Sequence, residues 1–315
     1  MLIVRFSATE DEALEVFTLG VFLMAAVEEM RESGAIPMRV YGVLLCAVAT
    51  ISAAGVIVAA VQGIAPERIA FLRMAGASLL LAPVIHRISR PDFFKALLGG
   101  LLLAAHFSFW FASLQLIPVM RSTLLVTMAP IWAGLMEWGV LRKPPKGHFW
   151  SGIGIALPGL AVMSGFGGAG GNLEGDFLAL FGGVMGAGYF FIGSVVRPRL
   201  ATTCYSGITC AVAALCLLPL AIFGEPFLGA ISAHTWMLLA LLVMGPQLIG
   251  HNGLNYCLRY IPASTVTAGI LLEPVGAAVL ALIFLDQVPV LTDMMGGCLV
   301  LLGLYGAIKQ PKIPG

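Results

Sequence analysis

The chain has 315 residues, of which 59% belong to the apolar set AVILMFWYC and only 10% are charged, and its mean hydropathy is +0.99. Soluble domains carry about a quarter charged residues, so this composition excludes an ordinary water-soluble domain. The formal net charge is +1 and the basic residues are spread along the chain, so nucleic acid is not expected as a partner.

The chain begins with an acidic segment, residues 1–37, that has neither the features of a secretory signal nor those of a membrane span. Its apolar run, Val16–Val27, is flanked by acidic residues, whereas a secretory signal has a basic region before its apolar run. The run is also shorter than the roughly 20 residues that cross a bilayer. We expect an extension that is interfacial or disordered. We hypothesise that Met38, which precedes the first long apolar run, is the physiological start.

Ten long apolar runs follow, bounded by charged residues, glycine and proline. A hydrocarbon core of about 30 Å requires roughly 20 apolar residues per helix. Ten such runs with almost no polar face are not expected of buried helices in a soluble protein. The sequence therefore predicts an all-α integral membrane protein whose ten transmembrane helices lie near residues 40–62, 67–86, 94–116, 120–141, 149–165, 177–196, 203–223, 235–257, 262–285 and 290–308.

The distribution of basic residues predicts how the chain is oriented. If the N-terminus is inside, fourteen of the 17 Lys and Arg residues fall in cytoplasmic segments, where such residues accumulate. Arg68 and Arg121 then face outward, and Arg73 lies within the second helix. We therefore expect both termini to be cytoplasmic, and we expect the membrane to be a bacterial inner membrane.

The two halves of the chain are similar when they are compared at an offset of 144 residues. Without a gap, twelve of 47 positions are identical between residues 114–160 and 258–304, including several prolines and glycines. Because five is odd, a second set of five helices enters the membrane from the opposite side. Secondary transporters commonly have this plan, with a substrate site between the repeats. The predicted parts are an N-terminal extension (1–37), a first repeat (38–166), an external glycine-rich linker (167–176), a second repeat (177–308) and a cytoplasmic tail (309–315).

Motifs in the second half resemble those of a known family. The segment Gly250–Pro289 is similar to the end of an EamA-type member of the drug/metabolite transporter superfamily, and Met128–Leu135 is the counterpart of its LEPVGAAV element. The resemblance covers about residues 38–308. It implies a ten-helix carrier, mostly an exporter of amino acids, metabolites or drugs, with a central cavity lined by both halves. Members of the family often end the fourth and ninth helices with a Leu-Gly-Glu-Arg-like element. The corresponding places here read Val140-Leu141-Arg142-Lys143 and Leu285-Asp286-Gln287, so the glutamate of that element is missing from both.

Two ionisable residues within predicted spans are candidates for function, because a charge in a bilayer is costly and usually faces a cavity or a partner. Glu273 lies beside Pro274 in the ninth helix and is a candidate to bind a proton or a substrate ammonium group. The alternative is a protonated or hydrogen-bonded packing residue. Arg73 is a candidate to bind a substrate carboxylate, and the alternatives are that it extends to the outer interface or pairs with Glu67.

Aromatic and polar residues on several other helices are candidates to line the substrate site. His106 and Trp110 lie one turn apart on the third helix, which suits an apolar or aromatic substrate with one polar end. An aromatic stripe of this kind also occurs in simple packing or in an interfacial belt. The other candidates are on the fourth and sixth helices, namely Thr127, Trp132 and Tyr189.

The eighth helix has the densest polar cluster of any predicted span. Its Gln247, His251 and Asn255 recur at helical spacing and share one face. Such groups need hydrogen-bonding partners within a bilayer, which are supplied either by a water-filled cavity or by a neighbouring helix. We favour the cavity.

These residues together predict a secondary carrier, an exporter of a small organic metabolite, that works by alternating access with Glu273 as the proton-coupling residue. No cofactor, metal site or catalytic motif is predicted, so a membrane enzyme is a remote alternative. A channel is another remote alternative, because no filter sequence is evident. An importer or exchanger of the same fold is the nearest alternative. The expected partners are the substrate, the lipid bilayer and protons.

Overall fold

A computed structural model describes residues 37–61, 63–84, 88–117, 119–163, 172–222, 231–285 and 291–308. Residues 1–36 of the predicted N-terminal extension, the first half of the predicted external linker (167–171) and the predicted cytoplasmic tail lie outside the described residues. Every regular element in the described part of the chain is helical, as the sequence predicts. The helices are α1 (Met38–Ala60), α2 (Pro66–Leu81), α3 (Arg90–Leu114), α4 (Val119–Val126), α5 (Ala129–Leu141), α6 (Gly147–Met163), α7 (Leu173–Val196), α8 (Thr202–Ile222), α9 (Ala233–Leu242), a π-helix (Val243–His251), α10 (Asn252–Cys257), α11 (Ala263–Ile270), α12 (Glu273–Leu285) and α13 (Leu291–Ile308), with a single 3₁₀ turn at Ala82–Val84.

Helix lengths and apolar composition fit a membrane protein. In the described residues, seven helical stretches are long and apolar enough to cross a membrane: Met38–Val58, Arg90–Leu114, Ser122–Leu141, Leu173–Val196, Thr202–Ile222, Ala233–Cys257 and Ala263–Leu280. A shorter apolar helical stretch, Met294–Ala307, follows them. The two remaining predicted spans correspond to α2, with 16 residues, and α6, with 17 residues.

The fourth and ninth predicted spans are each broken in the middle, at positions that are 144 residues apart. The fourth consists of α4 and α5, which are interrupted at Thr127-Met128, and the ninth consists of α11 and α12, interrupted at Leu271-Leu272. A proline within a helix cannot donate a hydrogen bond, and its ring clashes with the carbonyl group four residues earlier. Pro130 and Pro274 are each four residues beyond the end of α4 and α11, so the repeated proline explains both breaks.

The eighth span contains a local change of helical type that the sequence does not predict. Its middle is π-helical over Val243–His251, and Pro246 lies inside this stretch. Short π-helical segments occur inside α-helices mainly at functional sites. This one carries Gln247 and His251, two of the candidate site residues.

The packing of the helices follows an approximate two-fold relation between the halves. The third span, α3, packs against α7, and the counterpart of this pair is the eighth span packed against α1. Likewise, α2 packs against α8 and α6 against α13, and in both pairs the two helices are counterparts in the two halves. Helix α5 packs against α11, which belong to the fourth and ninth spans, and these two spans are counterparts as well. Each of these contacts joins the first half of the chain to the second.

The α6–α13 contact shows the two-fold relation at single residues. A Cβ atom added to Gly152 would lie 2.4 Å from the carbonyl oxygen of Gly303, and one added to Gly159 would lie 2.6 Å from that of Gly296. Gly152 and Gly296 are 144 residues apart, as are Gly159 and Gly303. The repeated glycines therefore let the two helix backbones touch at two related points, in the manner of small residues at membrane helix interfaces.

Candidate functional site

Arg73 on α2 lies at the centre of the candidate site. Its side chain is buried, with 4% of its surface exposed, and its Nε donates a hydrogen bond of 2.8 Å to Oε1 of Gln247 in the π-helix. This bond joins the first half of the chain to the second. Arg73 therefore does not extend to the outer interface, which was one of the alternatives that the sequence left open.

The ring of Phe107 on α3 is the aromatic surface against which Arg73 packs. The guanidinium carbon lies 5.1 Å from the ring centroid, within the range of a cation–π interaction. The ring centroids of His251 and Trp110 lie 6.3 Å and 6.2 Å from that of Phe107. His251 also stacks on Phe190 of α7 at 6.1 Å. We call Arg73, Gln247, Phe107, His251 and Trp110 the Arg73 cluster.

No carboxylate of the described residues is in contact with the guanidinium of Arg73. Glu273 is near enough for its charge to act on the guanidinium. The partner of Arg73, Gln247, in turn donates a hydrogen bond of 3.4 Å from its Nε2 to the thiol of Cys210. Among the described residues, however, no Asp or Glu side chain forms an ion pair with Arg73 within 4.0 Å. Arg73 is thus a buried cation near an acidic residue with which it makes no direct ion pair.

Glu273 is the first residue of α12, directly after the break in the ninth span. The sequence places it within a continuous helix, whereas the structure places it at a helix N-terminus, where the helix dipole favours a negative charge. Its counterpart in the first repeat is Ala129, the first residue of α5. The acidic group is therefore present in one repeat only, although both broken helices share the proline that follows it.

A second polar group, the Tyr189 cluster, connects α7, α8 and α10. Asn255 Nδ2 donates to Oη of Tyr189 at 2.5 Å and to Oγ of Ser206 at 2.9 Å, and Ser206 donates to Asn252 Oδ1 at 2.6 Å. Tyr205 Oη donates to the backbone oxygen of Tyr189 at 2.9 Å, and the two tyrosine rings stack. These contacts hold Tyr189 in one orientation at the edge of the Arg73 cluster.

His106 has a backbone partner that orients its ring. Its Nδ1 lies 2.8 Å from the carbonyl oxygen of Gly182 on α7, and because a carbonyl can only accept, this nitrogen carries the proton. The contact depends on small residues, since a Cβ atom at Gly186 would lie 2.7 Å from the same nitrogen. The ring of His106 stacks on Trp110 with the centroids 6.1 Å apart.

The two candidates on the fourth span lie apart from these clusters. Thr127 is at the break between α4 and α5, where its Oγ1 donates to the carbonyl oxygen of Leu124 at 3.0 Å. Trp132 on α5 packs against the apolar core. In the part of the chain that the structure describes, neither side chain makes a hydrogen bond or ring contact with the Arg73 cluster.

Four buried polar atoms in the described residues have no hydrogen-bond partner, and all belong to predicted site residues: Trp110 Nε1, Trp132 Nε1, His251 Nδ1 and Asn255 Oδ1. Buried polar atoms in proteins are nearly always paired with protein, water or ligand. The four atoms lie on α3, α5, the π-helix and α10. The described residues contain no group of three or more His, Cys, Asp or Glu side chains that could hold a metal ion.

The sequence missed three contributors to the site, namely Phe107, Phe190 and Ser206. Phe107 directly follows His106, so its side chain points toward a different side of α3. From helical periodicity alone, a phenylalanine on that side is expected only to pack against neighbouring helices. Ser206 lies on α8, for which the sequence offered no candidate residue. Each becomes recognisable only through partners far away in the chain, such as Arg73 and Asn255.

Comparison with known proteins identifies the class of protein as a membrane transporter. The model of the EamA-like transporter family matches twice, at residues 40–165 and 173–308, which cover most of the chain. The chain therefore belongs to the EamA-like transporter family, as its motifs indicate. The all-α, multi-pass membrane class predicted from the sequence is confirmed.

Individual relatives agree with this assignment. The chain is 26% identical over 277 residues to a Bacillus subtilis protein named uncharacterized transporter YwfM, covering 80% of this chain and 89% of that protein. It is 25% identical over 209 residues to a probable terminal-alkyne amino-acid exporter of Streptantibioticus cattleyicolor, covering 63% and 69%. A solved crystal structure matches with a TM-score of 0.74 at 17% identity, covering 86% of this chain and 97% of that one, which shows a shared fold.

Proposed function

We propose that the chain is a secondary active transporter that exports a small amino-acid-like metabolite across a bacterial inner membrane. In this proposal the termini are cytoplasmic, the site lies between the two repeats, and alternating access opens it to each side in turn. The substrate leaves chemically unchanged, so no catalytic role is assigned. The parts of the chain follow the predicted division into an extension, two repeats (38–166 and 177–308) with a linker between them, and a tail.

The observation that carries the proposal is the separation of charge between Arg73 and Glu273. A buried guanidinium without a contacting carboxylate is costly in a membrane interior. A substrate with a carboxylate and an ammonium group supplies a partner to each residue, since the guanidinium binds carboxylates through two parallel hydrogen bonds. The name of the Streptantibioticus relative, a probable amino-acid exporter, supports the same substrate class.

The surrounding side chains suit an amino-acid-like compound with an apolar or aromatic body. Phe107, Trp110, His251 and Phe190 form an aromatic wall beside Arg73. The unpaired indole N–H of Trp110 and Nδ1 of His251 can bond to polar substituents. We assign substrate binding to the residues selected from the sequence, which are Arg73, His106, Trp110, Thr127, Trp132, Tyr189, Gln247, His251 and Asn255.

Counterflow in proteoliposomes tests the proposed function. Vesicles preloaded with an unlabelled aromatic amino acid are expected to accumulate the labelled compound transiently, whereas empty vesicles and vesicles without protein do not. The methyl ester and the N-acetyl derivative serve as matched competitors that each lack one charge, and both are expected to compete poorly. Competition by either derivative as strong as that of the unmodified amino acid would refute the division of charges between Arg73 and Glu273.

The direction and the coupling ion require a second measurement, because an importer or exchanger would show counterflow too. Glu273 is assigned to proton coupling, since it is an acidic group at a helix break near Arg73. In inside-out vesicles an imposed proton gradient is expected to drive uptake by the wild type. Glu273→Gln removes the charge that binds the ammonium group, so its counterflow is expected to be weaker than that of the wild type. The flux that remains is expected not to depend on the gradient, and an unchanged pH dependence would remove Glu273 from this role.

A further inference from the structure

Glu137, an acidic residue on α5, makes a buried connection between the two repeats that substrate binding does not use. Its side chain is 5% exposed. Oε1 accepts a hydrogen bond of 3.0 Å from the backbone N–H of Ser264, and Oε2 accepts one of 2.5 Å from the Ser264 hydroxyl group. Ser264 lies in the first turn of α11. The carboxylate of one repeat therefore caps a helix of the other.

This connection lies at the end of the molecule where the broken spans are close together. There, α11 packs against both α5 and α7. The two-fold counterparts of these two contacts are α4 with α12 and α4 with α1. Among the described helices, neither counterpart pair makes a comparable contact. The fourth and ninth spans thus meet at the Glu137 end and are separated at the other end.

The sequence makes the same distinction between the two ends. At the offset of 144 residues, the counterpart of Glu137 is Ala281 and that of Ser264 is Met120. When the two repeats exchange conformations, these residues come to the equivalent position at the opposite end. An alanine and a methionine side chain cannot form a pair of charge-assisted hydrogen bonds there. The contact that closes the Glu137 end is therefore polar, whereas the equivalent contact at the opposite end is apolar.

We propose that Glu137 and Ser264 form a lock that holds the carrier closed at its cytoplasmic end and so favours the state in which the site faces outward. The inference rests on the proposed function, because only a carrier has an inward-open and an outward-open state. It also rests on the predicted orientation, which makes the Glu137 end the cytoplasmic one. Glu137 precedes the basic segment 142–146, which the sequence places inside the cell.

The lock is reversible for a physical reason. A buried carboxylate is tolerated because hydrogen bonds replace its hydration. When α5 and α11 separate toward the cytoplasm, water enters and solvates the Glu137 carboxylate and the Ser264 hydroxyl group. The open state therefore loses two hydrogen bonds but leaves no buried charge. The two hydrogen bonds of the closed state therefore keep the population of the inward-open state small, and substrate from the cytoplasm binds to that small population.

Spin-label distances between residues 143 and 259 test the lock, because these exposed positions lie just after α5 and just before α11. The exposed Cys46, Cys216 and Cys298 are replaced by serine so that labelling is confined to the two sites. Double electron–electron resonance is recorded in proteoliposomes without substrate. Ser264→Ala removes one hydrogen bond to a charged group and is expected to raise the ratio of long to short distances roughly tenfold. Glu137→Ala removes both bonds and is expected to raise the ratio further.

Ser151→Ala is the matched control, because Ser151 is exposed and its hydroxyl group bonds only within its own helix turn. Its distance distribution is expected to equal that of the labelled parent. The lock is refuted if Ser264→Ala, which preserves charge and nearly preserves volume, gives the parent distribution. The measurement needs no substrate, so a protein that fails every counterflow assay but shows the distance shift would refute the proposed function and keep the lock.

Discussion

Replacement of Arg73 by alanine is expected to lower counterflow at least roughly 100-fold while the protein still inserts and folds. The substrate carboxylate would lose two charge-assisted hydrogen bonds, each worth about 1.5–3 kcal/mol. A loss of about 3 kcal/mol corresponds to a factor of more than 100 in binding. Gln247 would lose its partner in the same variant, but its amide retains the contact with Cys210.

Two further variants separate substrate binding from general damage. Arg73→Lys keeps the charge but not the planar pair of donors, so an intermediate loss of affinity is expected. Arg90→Gln, at an exposed position at the start of α3, is the control and is expected to transport normally. If Arg73→Ala transported with the affinity of the wild type, the guanidinium would be a structural group that connects α2 to the π-helix.

Gly152→Ala is expected to destabilise the folded protein by about 1–3 kcal/mol, the usual cost of overpacking, or more. An added Cβ would lie 2.3 Å from the backbone nitrogen of Ala307 and 2.4 Å from the carbonyl oxygen of Gly303. Both atoms belong to the backbone, so no side chain can rotate away. The α6–α13 contact must therefore open, and a fall in the thermal unfolding temperature measured in detergent would report this.

Gly154→Ala supplies the matched control on the same helix. A Cβ atom at this position meets nothing within 4 Å. Alanine is intrinsically favoured over glycine in a helix interior by about 0.5–1 kcal/mol, so equal or slightly higher stability is expected. Equal destabilisation by both variants would show that helix flexibility, rather than the close contact, explains the glycine at position 152.

The prolines and glycines that recur at an offset of 144 residues made much of the fold predictable from the sequence. Pro130 and Pro274 act locally, since each removes a hydrogen bond from its own helix, and their effect needs no knowledge of tertiary structure. Gly152 and Gly303 are recognisable as small residues, but the comparison of the two halves does not reveal that they face each other. That contact follows from how the repeats pack, which the chain alone does not specify.

The site was harder to predict than the fold, because its contacts join distant residues. Arg73 and Gln247 were both selected from the sequence, yet 174 positions separate them and nothing in either helix indicates the bond between them. The π-helix was not predicted, since Pro246 alone indicates a kink rather than a change of helical type. Glu137 is an acidic residue within a predicted span, but its partner, Ser264, has no distinguishing pattern.

The central claim is that two five-helix repeats lie in opposite orientations around a polar site. The most direct test is to find on which side of the membrane the connection between the repeats and the C-terminal tail lie. A single cysteine is placed at Asn172, in the connection between the repeats, and another, in a separate variant, at Lys312 in the C-terminal tail. Both are treated in intact cells with a membrane-impermeant maleimide. Our account predicts labelling at position 172 and none at position 312 until the membrane is opened. Labelling of both positions from the same side would contradict the inverted arrangement and the transport mechanism that depends on it.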